Sequence, residues 1–157
     1  MKLSPSDETV ALEYAFLSYE TPEPVQFRIQ ARRIFNRLRL AGNKTASEAF
    51  ENVDRPLRDG IARWGEVVAQ APENFSAHEE LARIAEQRDE TDLAVDHYKT
   101  ALRLRPGRRD LLLDLARVWR EQDRVREAND RTGEAADRVG KLSDRRWEAT
   151  DRLREAA

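Results

Sequence analysis

Residues Phe75–Arg108 read FSAHEELARIAEQRDETDLAVDHYKTALRLRPGR, and this stretch decides the fold. Leu81, Ala82 and Ala85 fall on one helical face, with Ile84 beside them. Further on, Leu93, Ala94, Tyr98, Ala101, Leu102 and Leu104 recur at helical spacing. The run Gln87-Arg88-Asp89-Glu90-Thr91-Asp92 between them has nothing to bury, and Pro106-Gly107 cannot continue a helix. The spacing therefore predicts two short amphipathic helices joined by a tight turn.

Outward from this hairpin, the same register recurs. Pro72 and Pro106 stand 34 residues apart, and Gly140 follows at the same interval. Leu81 returns as Leu115, Ala82 as Ala116, Asp89 as Asp123, Ala94 as Ala128 and Ala101 as Ala135. A helix-turn-helix unit of this length resembles the tetratricopeptide repeat (TPR) family. The large-small pair early in the first helix is Leu81-Ala82. The small position of the second helix is Ala94, followed by the aromatic Tyr98, the second small residue Ala101 and the closing Pro106. Two positions depart from the pattern: His78 stands where the leading tryptophan is expected, and Asp89 where the turn glycine is.

The small residues have a physical purpose. Alanines at 82, 94 and 101 let paired helices approach closely while Leu81, Tyr98 and Leu102 fill the flanks, each such burial contributing roughly 1.5–3 kcal/mol. One hairpin cannot hide its apolar face alone, so several must stack and the ends must be capped. The resemblance implies an all-α, right-handed superhelical α-solenoid of antiparallel hairpins, with about four repeats and a C-terminal cap helix in a single domain over 1–157.

Along the chain, residues 6–42 read as a diverged first repeat. Its first helix carries Val10, Leu12, Tyr14, Ala15, Phe16, Leu17 and Tyr19, and its second carries Phe27, Ala31, Ile34, Phe35, Leu38 and Leu40. Residues 43–74 read as a second repeat with a short helix near 45–53, a break, and a helix starting at Pro56. There Gly60 takes the small position, and Ile61, Trp64, Val67 and Val68 face inward. Residues 75–108 and 109–142 form the clear repeats. The fourth has Leu112, Leu115, Ala116 and Trp119 on its packing side and a polar second helix from about Val125. Ser143 can cap a final helix over 143–157, in which Ala149, Thr150 and Leu153 would cover the preceding pair; a frayed tail is the alternative.

Composition narrows the function classes. Acids and bases alternate throughout, and the net charge of −2 argues against a nucleic-acid-binding stripe, which needs Lys and Arg clustered on one face. There is no cysteine, hence no disulfide framework or thiolate chemistry. No apolar run approaches the ~20 residues of a membrane span, and MKLSPSDETV lacks a signal-peptide core. A cytoplasmic protein is expected if Met1 is the native start. The excess of arginine over lysine points to a GC-rich bacterial genome.

Chemistry-bearing motifs are missing. His78 and His97 lack metal-ligand spacing and read as half-buried packing residues. No nucleophile elbow or phosphate-binding glycine loop occurs, and Glu79-Glu80 reads as an ordinary exposed pair. Neither a catalytic residue, a metal nor a cofactor is expected.

The resemblance implies a different task, since TPR arrays bind extended peptides or helices of partner proteins along a concave groove lined by the first helix of each repeat. By register that side carries Glu79, Arg83, Glu86 and Gln87, then Asp110, Leu113, Arg117, Arg120 and Glu121. Arrays that clamp a chaperone's C-terminal carboxylate use Lys and Asn where this chain has Glu79 and Arg83, so that specialisation is disfavoured. Arg83 and Arg117, one repeat apart, could form a ladder for an acidic partner. The competing reading pairs Glu79 with Arg83 and Arg117 with Glu121 within their helices. The expected function is a non-catalytic protein-interaction scaffold. A self-assembling, homo-oligomerising module and a regulatory domain of a larger enzyme or export system are the alternatives.

Overall fold

The computed structural model describes the backbone of residues 5–21 and 24–155, and the side chains of 7–21 and 24–134. All regular elements among the described residues are α-helices: α1 (Pro5–Glu20), α2 (Gln26–Leu40), α3 (Lys44–Gln70), α4 (Phe75–Gln87), α5 (Thr91–Leu104) and α6 (Arg109–Glu155). The chain divides into two compact units, residues 1–118 and 119–157. The second consists of the continuation of α6. No described helix is long and apolar enough to cross a membrane.

In the first unit each helix from α1 to α5 packs on the next. The connections follow from local chemistry. Gly42 at φ 96° closes α2, its N–H donating to Arg39 O and that of Asn43 to Leu38 O, both at 3.0 Å. This is the Schellman arrangement, which needs a left-handed residue just past the helix. Asn43 then caps α3 by accepting from Ala46 N at 2.9 Å, and Asn74 caps α4 by accepting from Ala77 N at 3.2 Å, each satisfying an amide that the helix leaves orphaned.

The α4–α5 turn repeats the Schellman arrangement without glycine. Asp89 takes φ 67°, its N–H donating to Glu86 O at 3.0 Å and that of Glu90 to Ala85 O at 2.9 Å. Left-handed backbone costs an L-residue roughly 1–2 kcal/mol, least for Asp and Asn. Here the Asp89 carboxylate is also gripped by both fork nitrogens of Arg33 on α2, at 2.7 and 2.6 Å. The 34-residue register is equally visible in the backbone. Ala71 sits at φ −137°, ψ 77° and Arg105 at φ −138°, ψ 85°. Each precedes a proline, which drives it out of the helical region.

Two helices run on where breaks were expected. Residues 43–74 do not form a hairpin, because α3 passes through Pro56 unbroken. A helix starting at Pro56 would have Arg55 as its cap, a poor one, and the adjacent Asp54 is already committed elsewhere. The loss of one backbone hydrogen bond is offset by burial of Ala49, Phe50 and Val53 against α2. Likewise α6 has no turn near Asp123 and no break at Gly140. Gln122–Val125 contain neither glycine nor proline, and a lone helical glycine costs only about 1 kcal/mol. The second helix of the fourth repeat and the separate cap helix are therefore parts of one 47-residue helix. The covering contacts expected of Ala149, Thr150 and Leu153 lie outside the described side chains.

The packed face of α6 shifts accordingly. Leu111, Leu115 and Val118 are buried, while Leu112 is 50% and Trp119 44% exposed. One repeat earlier, the corresponding His78 and Ala85 are buried, Ala85 in the core that α5 shares.

Two apolar clusters hold the first unit. One joins Ala15, Ala31, Phe35, Ala49, Phe50 and Val53. The other joins Phe75, Ala82, Ala85, Ala94, Val95, Tyr98, Ala101, Leu111, Leu115 and Val118. The alanines at 82, 94 and 101 are fully buried, and a Cβ on Gly60 would press to 3.1 Å from Ile84 Cδ1, so helices do meet closely at the small positions. Leu81 is 2% exposed. Leu81→Ala is expected to cost about 2–5 kcal/mol through lost burial and a residual cavity, and Ala94→Leu about 1–3 kcal/mol through overpacking. Urea denaturation reads both, and midpoints equal to wild type would refute the packing.

Buried charge ties the layers together. Asp54 on α3, 3% exposed, accepts from Arg32 Nε and Nη2 at 2.8 and 2.5 Å and from Arg88 Nε at 3.2 Å. One carboxylate thus fastens α2, α3 and the end of α4.

Candidate functional site

A cleft of about 440 Å³ opens in the first unit, lined by Val25, Arg83, Glu86, Gln87, Tyr98, Asp110, Asp114 and Arg117. Four segments supply it: Val25 at the start of α2, the C-terminal half of α4, Tyr98 from α5, and the first turns of α6. The Pro106-Gly107 turn delivers α6 beside α4, and one helical turn separates Asp110 from Asp114 on the cleft side.

Its floor is a buried ionic knot. Glu86, 6% exposed, accepts the Tyr98 hydroxyl at 2.9 Å and both fork nitrogens of Arg117, Nε at 2.7 Å and Nη2 at 2.9 Å. Arg117 Nη2 also reaches Asp114 Oδ1 at 2.8 Å. The bidentate guanidinium–carboxylate pair fixes orientation as well as charge. Burial pushes the Tyr98 hydroxyl far up from its usual 10.0, and the neighbouring Glu86 carboxylate adds to it. Hydrogen bonding to Glu86 raises Arg117 against the opposing effect of its burial. The floor is thus an ion-paired arrangement closed by the Tyr98 phenol.

The rim is looser. Glu79 is buried and receives Arg83 and Arg108, each at 2.8 Å. Arg108 also binds Asp110 through Nε at 2.8 Å, which lowers the Asp110 carboxyl to about 2. Arg83, whose side chain is 40% exposed, lies 3.8 Å from Asp110.

Of the residues expected in the groove, Arg83, Glu86, Gln87, Asp110 and Arg117 come together as cleft walls, and Glu79 anchors the rim from beneath. Leu113 is 69% exposed and is not among the lining residues. Arg120 and Glu121 belong to the second unit. Glu79 and Glu86 are not the exposed acids that their sequence suggests. Each is paired with an arginine that follows α5, Glu79 with Arg108 and Glu86 with Arg117. Of the within-helix pairs, Glu79–Arg83 forms, whereas Arg117 turns to Glu86 and Asp114. Sequence reasoning missed Tyr98, Asp114 and Val25. For Tyr98 the available signal was its phenol, since a buried tyrosine needs a partner for its hydroxyl.

The two histidines also meet. His78 Nδ1 lies 2.8 Å from His97 Nδ1, and His78 Nε2 lies 2.9 Å from Pro72 O. A carbonyl only accepts, so His78 carries its proton on Nε2 and its Nδ1 accepts from His97. Burial, then the electrostatic interaction with the neighbouring His78 ring, holds His97 below its usual 6.5. Among the described residues no group of His, Cys, Asp or Glu is arranged to hold a metal.

No family model matches the chain, and no curated protein matches it.

Proposed function

We propose that this chain is a non-catalytic protein-interaction scaffold of TPR-like helix hairpins, taking an extended peptide or a helix of a partner protein in the α4–α6 cleft. The observation that carries this reading is the cleft itself. Its position follows the groove side of the repeat register, and its walls offer paired but partly exposed charges around a rigid floor. Matching backbone geometry at Ala71 and Arg105 supports the repeat relationship on which the reading rests.

Partner chemistry follows from which charges remain approachable. Arg117 is held from two sides, so Arg83 and Arg117 do not act as two equivalent free cations. Arg83 and Asp110 at the rim, with side chains 40% and 49% exposed, would select a peptide presenting an acidic side chain to Arg83 and a donor to Asp110.

The test uses peptides selected from a displayed library against the intact protein, then measured on two variants. Gln87→Trp fills the cleft from the end of α4, and Arg83→Glu reverses the rim charge. Each is expected to weaken the selected peptides by about tenfold or more, equivalent to ~1.4 kcal/mol, with melting temperatures near wild type. Undiminished binding to both variants would place recognition elsewhere.

A further inference from the structure

The first helix presents a second surface, none of whose residues lines the cleft. The inner face of α1 packs on α2, with Ala15 and Ser18 buried, the Phe16 ring 5.0 Å from that of Phe35, and Arg28 over Tyr19 at 5.8 Å. Along one flank of that face stand Val10 and Leu17, each 66% exposed, and Tyr14, 44% exposed. Their i, i+4, i+7 spacing makes one continuous stripe. At 100° per residue, Glu13 and Glu20 border this stripe on one side and Asp7 on the other. Every charged residue of α1 is acidic: Asp7, Glu8, Glu13 and Glu20.

A helix with only one packing partner would carry polar residues opposite its core face. α1 does so with Glu13 and Glu20, yet it also carries an exposed apolar seam along one flank, a pattern that marks an interaction surface. Which occupant fits is set by the carboxylate borders. They repel anionic lipid headgroups and nucleic acid. An antiparallel pair of α1 helices from two copies would set Glu13 and Glu20 against the same carboxylates of the other copy, so self-pairing is opposed. The chain itself displays the complementary solution. The helix that covers the inner face of α1 is α2, whose charges are all arginine: Arg28, Arg32, Arg33, Arg37 and Arg39.

We propose that the Val10–Tyr14–Leu17 face docks a basic amphipathic helix of a partner protein, with apolar residues at i, i+4, i+7 seated on the stripe and Arg or Lys paired to Glu13 and Glu20. This surface is independent of the cleft, and a partner could engage either without the other.

The experiment measures fluorescence anisotropy of two labelled helical peptides on the full chain. Both carry leucines at i, i+4, i+7; one is flanked by arginines, the other by glutamates. The arginine-flanked peptide is expected to bind at least about tenfold more tightly, and the gap to narrow at high salt. Leu17→Glu should abolish the binding. The double variant Glu13→Arg with Glu20→Arg should reverse the preference, while its helicity and melting remain those of wild type because both positions are exposed. Gln87→Trp should leave this binding intact, which separates it from the cleft. Equal affinity for the two peptides, or no binding of either, overturns the proposal. So does a self-associated chain, by light scattering, that Leu17→Glu dissociates, since that would make a second copy the occupant.

Discussion

Tyr98→Ala is expected to lower stability by about 3–5 kcal/mol, the range for truncating a large buried aromatic, and to cause the largest loss of any single substitution in the α4–α5 hairpin. Tyr98 is completely buried, packs among the alanines at 82, 85, 94 and 101, and its hydroxyl donates to Glu86 at 2.9 Å. Truncation opens a cavity and removes one of the partners of a buried carboxylate. Tyr98→Phe isolates the second effect. It keeps the ring and leaves Glu86 with Arg117, so a loss of about 1.5–3 kcal/mol is expected, that of a hydrogen bond to a charged group. Urea denaturation of the two variants measures the split. Equal losses would mean that the ring contributes little and the hydroxyl nearly everything, contrary to the packing described. Because Tyr98 also lines the cleft, Tyr98→Phe should leave peptide binding closer to wild type than Gln87→Trp does.

The α4–α5 hairpin was legible in the sequence because its determinants are local. Leu81, Ala82, Ala94, Tyr98 and Ala101 mark their own burial by spacing and size, and Asp89 stands where a left-handed residue is required. The elements that escaped are those whose fate depends on distant residues. Asp89 turns the chain while Arg33, 56 residues away in sequence, grips its carboxylate. Asp123 occupies the same register position yet stays helical, and nothing within a few residues of either distinguishes them. Pro56 looks like a helix start, but Asp54 beside it is pulled into the junction with Arg32 and Arg88, and the helix continues through. Five residues that the register puts on one side line a single cleft. The electrostatics there were not legible. Glu79 read as half of an exposed pair with Glu80, and the burial of Glu79 and Glu86 becomes evident only once Arg108 and Arg117 arrive from beyond α5.

Asp54→Ala should be nearly as damaging as loss of Tyr98, by about 3 kcal/mol, because it strands two arginines that share one buried carboxylate. Asp54 is 3% exposed, and its carboxylate is the joint of α2, α3 and the α4 terminus. Asp54→Asn keeps the shape and one acceptor while removing the charge, so it isolates the ionic part. Burial pushes the Asp54 carboxyl up, but the hydrogen bonds and charges of Arg32 and Arg88 outweigh it, and the group sits below its ordinary 3.8. The sign follows. A carboxylate lowered in the folded state contributes its full stability above the unfolded value and loses it as pH falls through the folded one. Wild type should therefore exceed Asp54→Asn in stability by a constant margin at neutral pH. That margin should begin to shrink below about pH 4, where the unfolded carboxylate takes up its proton, and vanish once the folded carboxyl is also protonated. Urea midpoints of the two proteins, measured from neutral pH into acid, give the margin directly. A margin unchanged down to the lowest pH at which both fold would show that the carboxylate acts by shape alone and that Arg32 and Arg88 do not depend on its charge.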